Sequence, residues 1–486
     1  MKVYFFEPYA LAIPHFETAL ELIQNHIDSK DDVYLFHCDA DLNFCEKNRD
    51  HFLPTCLQCI SRRKLGVKRI DGNEKIKNSN FIDLSKPEKD LINSWNVSFK
   101  DIYELKAYRY ENTDMGMAIA SSLISFLRSP EPDVTANRYL INRMFKASLK
   151  VYLSFKKLLH NEKPDLIYLF NGRYSNIRPV VRLCELYSIK YRIHERGANR
   201  TKYSLHENHL PHDFNEFKKK VDELWNTGLE SERYKIAETF YQDRKAGKEQ
   251  AWRSFVAAQN EKELPSNWDT AKRNIVIFNS SEDEFAAIDD SLNDRLFPSQ
   301  LEGIRFMAEL VRGRNDVSVY VRIHPNLKGV INSTVTSIYN IKADNFHVIE
   351  PASTISSYQL IDCSSLVVTF GSTVGVEATF WDKPSILLGD SFYKDLGATY
   401  NPGTKEELSE LLLNERTPKE KLGAYKYGYY LQSFGIDFNL YESEGLFKGR
   451  FKGQKINPSR WIQRFLKRRQ IEPLIKYISR IHADRF

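Results

Sequence analysis

The hydrophobic pattern alternates between short continuous apolar runs and longer stretches with apolar residues three and four apart. Residues 3–7 form a short apolar run, helical spacing follows over about 15–27, and a second apolar run lies at 32–37. Strand, helix and strand at this spacing predict a parallel α/β unit. Residues 72–160 break the rhythm: a polar stretch leads into helical spacing over 117–127 and 140–159, which predicts a helical insertion. The alternation returns with strands at 165–170 and 190–193 around a helix from about 177. Residues 213–268 are charged and helical and close near Pro265, where a domain boundary is expected at about 255–270. Beyond it the alternation is more regular. Strands are predicted at 274–278, 317–323, 346–349, 365–370 and 385–388, with helices near 301–312, 355–361 and 373–381.

These segments predict an α/β fold of two doubly wound, Rossmann-like domains facing a cleft. The expected partition is 1–260 with the helical insertion at about 72–160, then 261–440, then a helical tail over 441–486. Ligands of such sheets bind beyond the C-terminal strand ends, so those loops are where chemistry is expected.

Composition adds limits. The chain has 486 residues, 42% hydrophobic and 28% charged. That is ordinary globular usage, excludes disorder over most of the chain, and fits two or three domains. No apolar run is long enough for a spanning helix, and the first residues read as a strand, without the basic region and long apolar stretch of a signal peptide. A cytoplasmic location is therefore expected. The net charge of +6 is uneven: residues 445–486 hold 12 Lys/Arg and 2 Asp/Glu, leaving the rest mildly acidic. The basic excess describes the tail, and no nucleic-acid partner is expected.

Five loops carry candidate chemistry. At 365–378 an apolar strand runs through Gly371-Ser372-Thr373 directly into a helix. Gly371 permits a tight turn, and Ser372 or Thr373 can cap the helix, leaving amide groups suited to a nucleotide phosphate. Glu377, one turn further, can accept from ribose hydroxyls; the competing reading is an ordinary capped helix. At 321–326, Arg322 and His324 precede Pro325 and can meet a phosphate and help a leaving group depart. The alternative there is a surface His beside a turn. At 193–197, Glu195 is a candidate general base toward an acceptor hydroxyl, unless Arg196 pairs with it and keeps it structural. At 278–284, Asn279, Ser280 and Ser281 can cap a helix or bind a phosphate or sugar. At 170–173, Asn171 and Arg173 offer amide and guanidinium donors.

Together these segments resemble bacterial surface-polysaccharide glycosyltransferases of GT-B type, the capsule-synthesis group that includes Kdo transferases being the nearest. The carriers are His324-Pro325, the run from Gly371 to Ala378, Lys383-Pro384, Gly389 and Phe392-Tyr393. Bacterial sialyltransferases share a related set with an acidic pair before Gly; here the motif reads Glu195-Arg196-Gly197, with Arg in place of the second acid. The resemblance covers about 165–200 and 274–400. It implies an acceptor-side first domain, a nucleotide-sugar second domain, and transfer of a sugar from a CMP-, UDP- or GDP-activated donor to a lipid-linked or polysaccharide acceptor. It implies that His324, Ser372 and Thr373 hold the donor phosphate and that Glu377 meets the ribose. Glu195 and His324 are then the catalytic pair, Arg322, Ser280 and Ser281 join the donor side, and Asn171, Arg173 and Arg196 the acceptor side. No cofactor is required, because a helix end, His and Arg can stabilise a nucleotide leaving group. A sugar-nucleotide epimerase on the same architecture and a polyol-phosphate transferase are the competing activities.

Two features stand apart. Cys38, Cys45, Cys56 and Cys59 fall within 22 residues, and the last two have the spacing of half a zinc knuckle. A structural zinc, reduced thiols in a loop, and transient redox chemistry are the three readings. In the tail, Trp461, Ile462, Phe465 and Leu466 share one helical face opposite Arg460, Arg464, Lys467 and Arg468. That pattern suits an anionic membrane surface at 459–486, or a helix docked on the first domain.

Overall fold

The computed structural model describes residues 1–250, 254, 256–280, 288, 296–329 and 333–457. The strands are β1 (Lys2–Phe6), β2 (Asp32–His37), β3 (Lys77–Asn80), β4 (Leu166–Phe170), β5 (Tyr191–Arg196), β6 (Lys202–Glu207), β7 (Arg273–Phe278), β8 (Val317–Arg322), β9 (Phe346–Ile349), β10 (Leu366–Thr369), β11 (Ser385–Leu387), β12 (Ile436–Asp437), β13 (Tyr441–Gly445) and β14 (Lys448–Phe451). The chain forms two compact units, Met1–Pro211 with the segment from Gly435 onward, and His212–Phe434. The fold is mixed α/β with a largely parallel sheet in each unit, as the alternation predicts.

In the first unit the sheet order is β12-β6-β5-β4-β1-β2-β3. β1 to β5 run parallel, and β6 turns back antiparallel on β5. β4 is apolar and buried throughout, and β1 from Val3 to Phe6, as central parallel strands covered on both faces are. The insertion is helical, as expected, over Met115–Leu127 and Arg138–Asn161. It also contributes β3, whose Lys-Asn-Ser-Asn sequence is exposed on both faces and has no apolar pattern to betray a strand.

The second unit holds an all-parallel sheet in the order β11-β10-β7-β8-β9. Its core joins Ile275, Ile277, Val319, Val321, Leu366 and Val368 from the strands to Ile304 and Met307 from the helix Gln300–Leu310.

The units divide at residue 211 and not at 260. The helices Phe214–Thr227 and Glu230–Lys245 pack on the helix Leu422–Ser433 of the second unit, Trp225 against Tyr429 at 5.7 Å and Phe217 against Tyr430 at 4.7 Å. Tyr241 stacks on Phe380 at 4.0 Å and donates to the Ala424 carbonyl at 2.6 Å. Their aromatic faces therefore assign them forward in the chain. The segment after Gly435 is likewise no separate tail up to residue 457. Buried Glu21 accepts the amides of Asn439 and Leu440, and Tyr441, Phe451 and Ile456 enter the first unit's core. The basic stretch 459–486 lies outside the described residues.

Candidate functional site

In the second unit the strand order reverses between β7 and β10: β8 and β9 follow on one side of β7, and β10 crosses to the other. The loops leaving those two strands meet there. The Ser280 hydroxyl donates to the Phe370 carbonyl at 3.1 Å, and its amide donates to Gln300 Oε1 at 2.9 Å. The amide of His324, beyond β8, donates to Asn279 Oδ1 at 2.7 Å. Asn279 and Ser280 thus brace three loops together, and Ser280 is a scaffold residue where a ligand contact was expected. Ser281 lies outside the described residues.

Gly371 has φ +129°, and a Cβ there would fall 2.7 Å from the Asp390 carbonyl oxygen after β11. The loop depends on glycine for both conformation and space. Gly371→Ala is expected to reduce stability by about 1–3 kcal/mol, read as a lower unfolding midpoint in urea. Ser372 Oγ accepts the Val374 amide at 3.3 Å, and its carbonyl accepts the Tyr393 hydroxyl. The capping contact therefore belongs to Ser372, while Thr373 donates to Glu377 Oε1 at 3.0 Å.

Glu377 is 1% exposed. Arg244 Nε donates to its Oε1 at 2.9 Å, and the Tyr358 hydroxyl donates to Oε2. Arg244 Nη2 also donates to Thr373 Oγ1 at 2.9 Å. Burial would lower the Arg244 pKa, but Glu377 and Tyr358 beside it override that and raise it. Burial first, and Glu377 second, push the Tyr358 hydroxyl well above its ordinary range. The carboxylate expected to meet a ribose is instead engaged in a buried ionic network.

Arg322 is also buried, and donates to the carbonyls of Glu350 at 2.6 Å and Ser353 at 3.0 Å. It holds the loop after β9 and does not reach outward as a donor-side residue. Burial pushes its pKa down to about 10. His324 opens the turn Pro325–Leu327, and its Nδ1 accepts the Asn326 amide at 3.2 Å. That contact assigns the proton of a neutral ring to Nε2.

In the first unit, Glu195 ends β5 with its side chain 15% exposed. Its Oε2 accepts from Asn171 Nδ2 at 2.8 Å and its Oε1 from the Arg196 amide at 3.2 Å. His15 Nε2 lies 3.4 Å from Oε1, with its ring 4.0 Å from that of Phe170. Burial, then His194, Arg196 and Lys47, push the His15 pKa well below its ordinary value, so it stays neutral beside the carboxylate. The Arg196 guanidinium donates to the carbonyls of Ile13 at 3.2 Å and Leu446 at 2.8 Å and lies over the Phe447 ring. It clamps the β13–β14 hairpin.

Three polar groups at this edge have buried atoms without a hydrogen-bond partner: His15 Nδ1, Asn171 Oδ1, and Arg173 Nε and Nη1. Buried polar atoms are seldom left unpaired, so a cluster of them marks a place where water or a ligand completes the bonding. Asn171 and Gly172 both have positive φ, at +62° and +83°, which turns the loop sharply at the strand end.

The four clustered cysteines are free thiols. Among the described residues no group of three or more His, Cys, Asp or Glu side chains is arranged to hold a metal ion. The residues as placed therefore do not fit the zinc reading. Burial pushes Cys38 up to about 12 and Cys56 to about 11, and raises Cys45 and Cys59 as well. All four are expected to alkylate slowly at pH 8 in the folded protein and rapidly in urea, as read by mass spectrometry.

Two residues at these sites were not singled out by sequence reasoning. His15 follows β1, and attention to that strand end would have found it. Arg244 sits in the last turn of a charged helix 133 positions before Glu377, with no sequence signal linking the two.

Residues 188–441 match the family model described as "Capsule polysaccharide biosynthesis protein". No curated protein matches the sequence. Among solved structures, the chain is similar to the Thermosulfurimonas dismutans KpsC beta Kdo 2,4 transferase, with 15% identity, TM-score 0.37, and coverage of 55% of this chain and 79% of that one. It is also similar to the Methanocaldococcus jannaschii UDP-GlcNAc 2-epimerase, with 13% identity, TM-score 0.29, and coverage of 88% and 97%.

Proposed function

The chain belongs to the capsule polysaccharide biosynthesis protein family, and from that premise we propose that it is a glycosyltransferase moving a sugar from a CMP-, UDP- or GDP-activated donor to a polysaccharide acceptor. The observation that carries the reading is that the family match spans the whole second unit, where three strand-end loops converge at the strand-order reversal. That is the place where doubly wound sheets bind nucleotides.

The chemistry follows from the side chains. His324, with its proton on Nε2, donates to the leaving phosphate as negative charge grows there, beside the Ser372 and Thr373 loop. Glu195, held by Asn171 and the Arg196 amide, takes the proton of the acceptor hydroxyl. The acceptor oxygen bonds to the anomeric carbon, and the bond from that carbon to the phosphate oxygen breaks with its electron pair on the phosphate. Neutral His15 lies 3.4 Å from Glu195 Oε1 and adds no charge beside it.

The test is nucleotide release from CMP-, UDP- and GDP-sugars with and without saccharide acceptors. Release that requires an acceptor supports transfer. Conversion of the sugar nucleotide alone supports the epimerase reading. No described helix is long and apolar enough to cross a membrane. Membrane association through 459–486 is part of the proposal. Its test is co-sedimentation with anionic and neutral vesicles, with and without that segment, where binding that ignores lipid charge rejects it.

A further inference from the structure

Arg244 lies in the last turn of the charged helix Glu230–Lys245. Its Nε is fixed by Glu377 and its Nη2 by Thr373, both at 2.9 Å. Thr373 belongs to the loop that leaves β10 at the strand-order reversal. One third of the Arg244 side chain is nevertheless exposed, whereas the Glu377 side chain is almost wholly buried. Nη1 makes no hydrogen bond among the described residues and is not among the buried unpaired atoms, so solvent reaches it. Two nitrogens of the planar fork are therefore committed to aiming the third edge. A guanidinium fixed in this manner loses little freedom when it takes an anion.

The arrangement also gives buried Glu377 a physical purpose. A carboxylate removed from water needs a paired cation and full hydrogen bonding. Here it has Arg244, Thr373 and Tyr358, and its side chain is almost wholly buried. Its Oε1 accepts from Arg244 Nε.

Resting on the proposed donor site in the second unit, we propose that Arg244 contacts the donor's phosphate, and that Glu377 and Thr373 position its guanidinium for that contact. The ligand class is a nucleoside mono- or diphosphate. Arg244 thereby supplies the cationic partner that Arg322, turned inward onto carbonyls, does not.

The test is isothermal titration of the full chain with CMP, UDP and GDP, each beside its nucleoside, cytidine, uridine or guanosine. In Arg244→Met, the tightest-binding nucleotide is expected to weaken by about tenfold or more, while its nucleoside binds as in wild type. Arg244→Lys keeps a charge beside Glu377 and is expected to fold normally. It should weaken the nucleotide by about threefold to tenfold, because an ammonium cannot hold Glu377, Thr373 and a phosphate at once. If Arg244→Met does not fold, the Lys variant decides. Equal loss of nucleotide and nucleoside, or no loss of either, overturns the proposal and leaves the donor site standing. Wild-type protein that binds none of the three nucleotides overturns the donor site and the proposal with it.

Discussion

Glu195→Gln is expected to lower sugar transfer by about 10²–10⁴-fold with unchanged unfolding temperature and unchanged nucleotide affinity. The substitution is isosteric and retains an oxygen for the Asn171 amide donor; its new NH2 gives up only the longer 3.2 Å contact with the Arg196 amide and faces His15 Nε2. What it removes is the capacity to take a proton. The surroundings hold this carboxylate in one orientation. Asn171 and the Arg196 amide fix it in place, and His15 at 3.4 Å stays neutral in the folded protein. The Arg196 side chain is anchored on Ile13 and Leu446. Activity near the wild-type level with an unchanged pH profile would remove Glu195 as the base and leave it a structural carboxylate.

Asp114→Ala is expected to destabilise the first unit by about 3–5 kcal/mol, the largest stability effect anticipated outside the apolar core. Asp114 accepts from Arg178 Nε and Nη2 at 2.9 and 2.6 Å, and from Arg182 Nε and Nη2, both at 2.8 Å. Arg178 is 2% exposed, so removing the carboxylate takes the paired opposite charge away from a buried cation. Burial alone would raise the Asp114 pKa, but the two guanidiniums override it and hold the carboxyl well below the usual range. The pH dependence follows from that sign. A depressed folded pKa gives stability that is present above the unfolded value, near 3.9, and is lost as pH falls toward the folded one. Urea unfolding at pH 7 and below pH 4 should therefore show wild type and Asp114→Ala converging as the solution is acidified. A constant gap would mean that the pair contributes through packing alone.

The strands of the second unit were legible because parallel strands covered on both faces are unbroken apolar runs, whereas β5, with Arg, His and Glu in it, runs three residues past the predicted 190–193. β2 and β9 fall where the pattern places them, β7 and β8 differ by a residue at one end, and β10 by a residue at each end. β3 was not legible because a polar edge strand has no face to bury. The partition at residue 211 was hidden for a different reason. A charged amphipathic helix announces that it packs, but not on which unit, and the partners Tyr429 and Tyr430 lie some 200 residues later. At the candidate site, residue types at strand ends singled out the loops, but not the contacts each side chain makes there. Arg322 and Glu377 look alike on paper as ligand contacts, yet one turns inward onto carbonyls and the other onto Arg244. Those assignments depend on rotamers and long-range partners, which spacing does not encode.

The central claim is that the strand-end loops of the second unit bind the nucleotide of an activated sugar. Thermal unfolding with CMP, UDP and GDP, on wild type and on His324→Ala and Ser372→Ala, tests it most directly. One nucleotide at about 100 times its dissociation constant should stabilise wild type by about 2.7 kcal/mol, and both variants should lose most of that gain, each measured against its own ligand-free unfolding. Stabilisation of equal size in all three proteins, or by none of the nucleotides in wild type, would contradict the account.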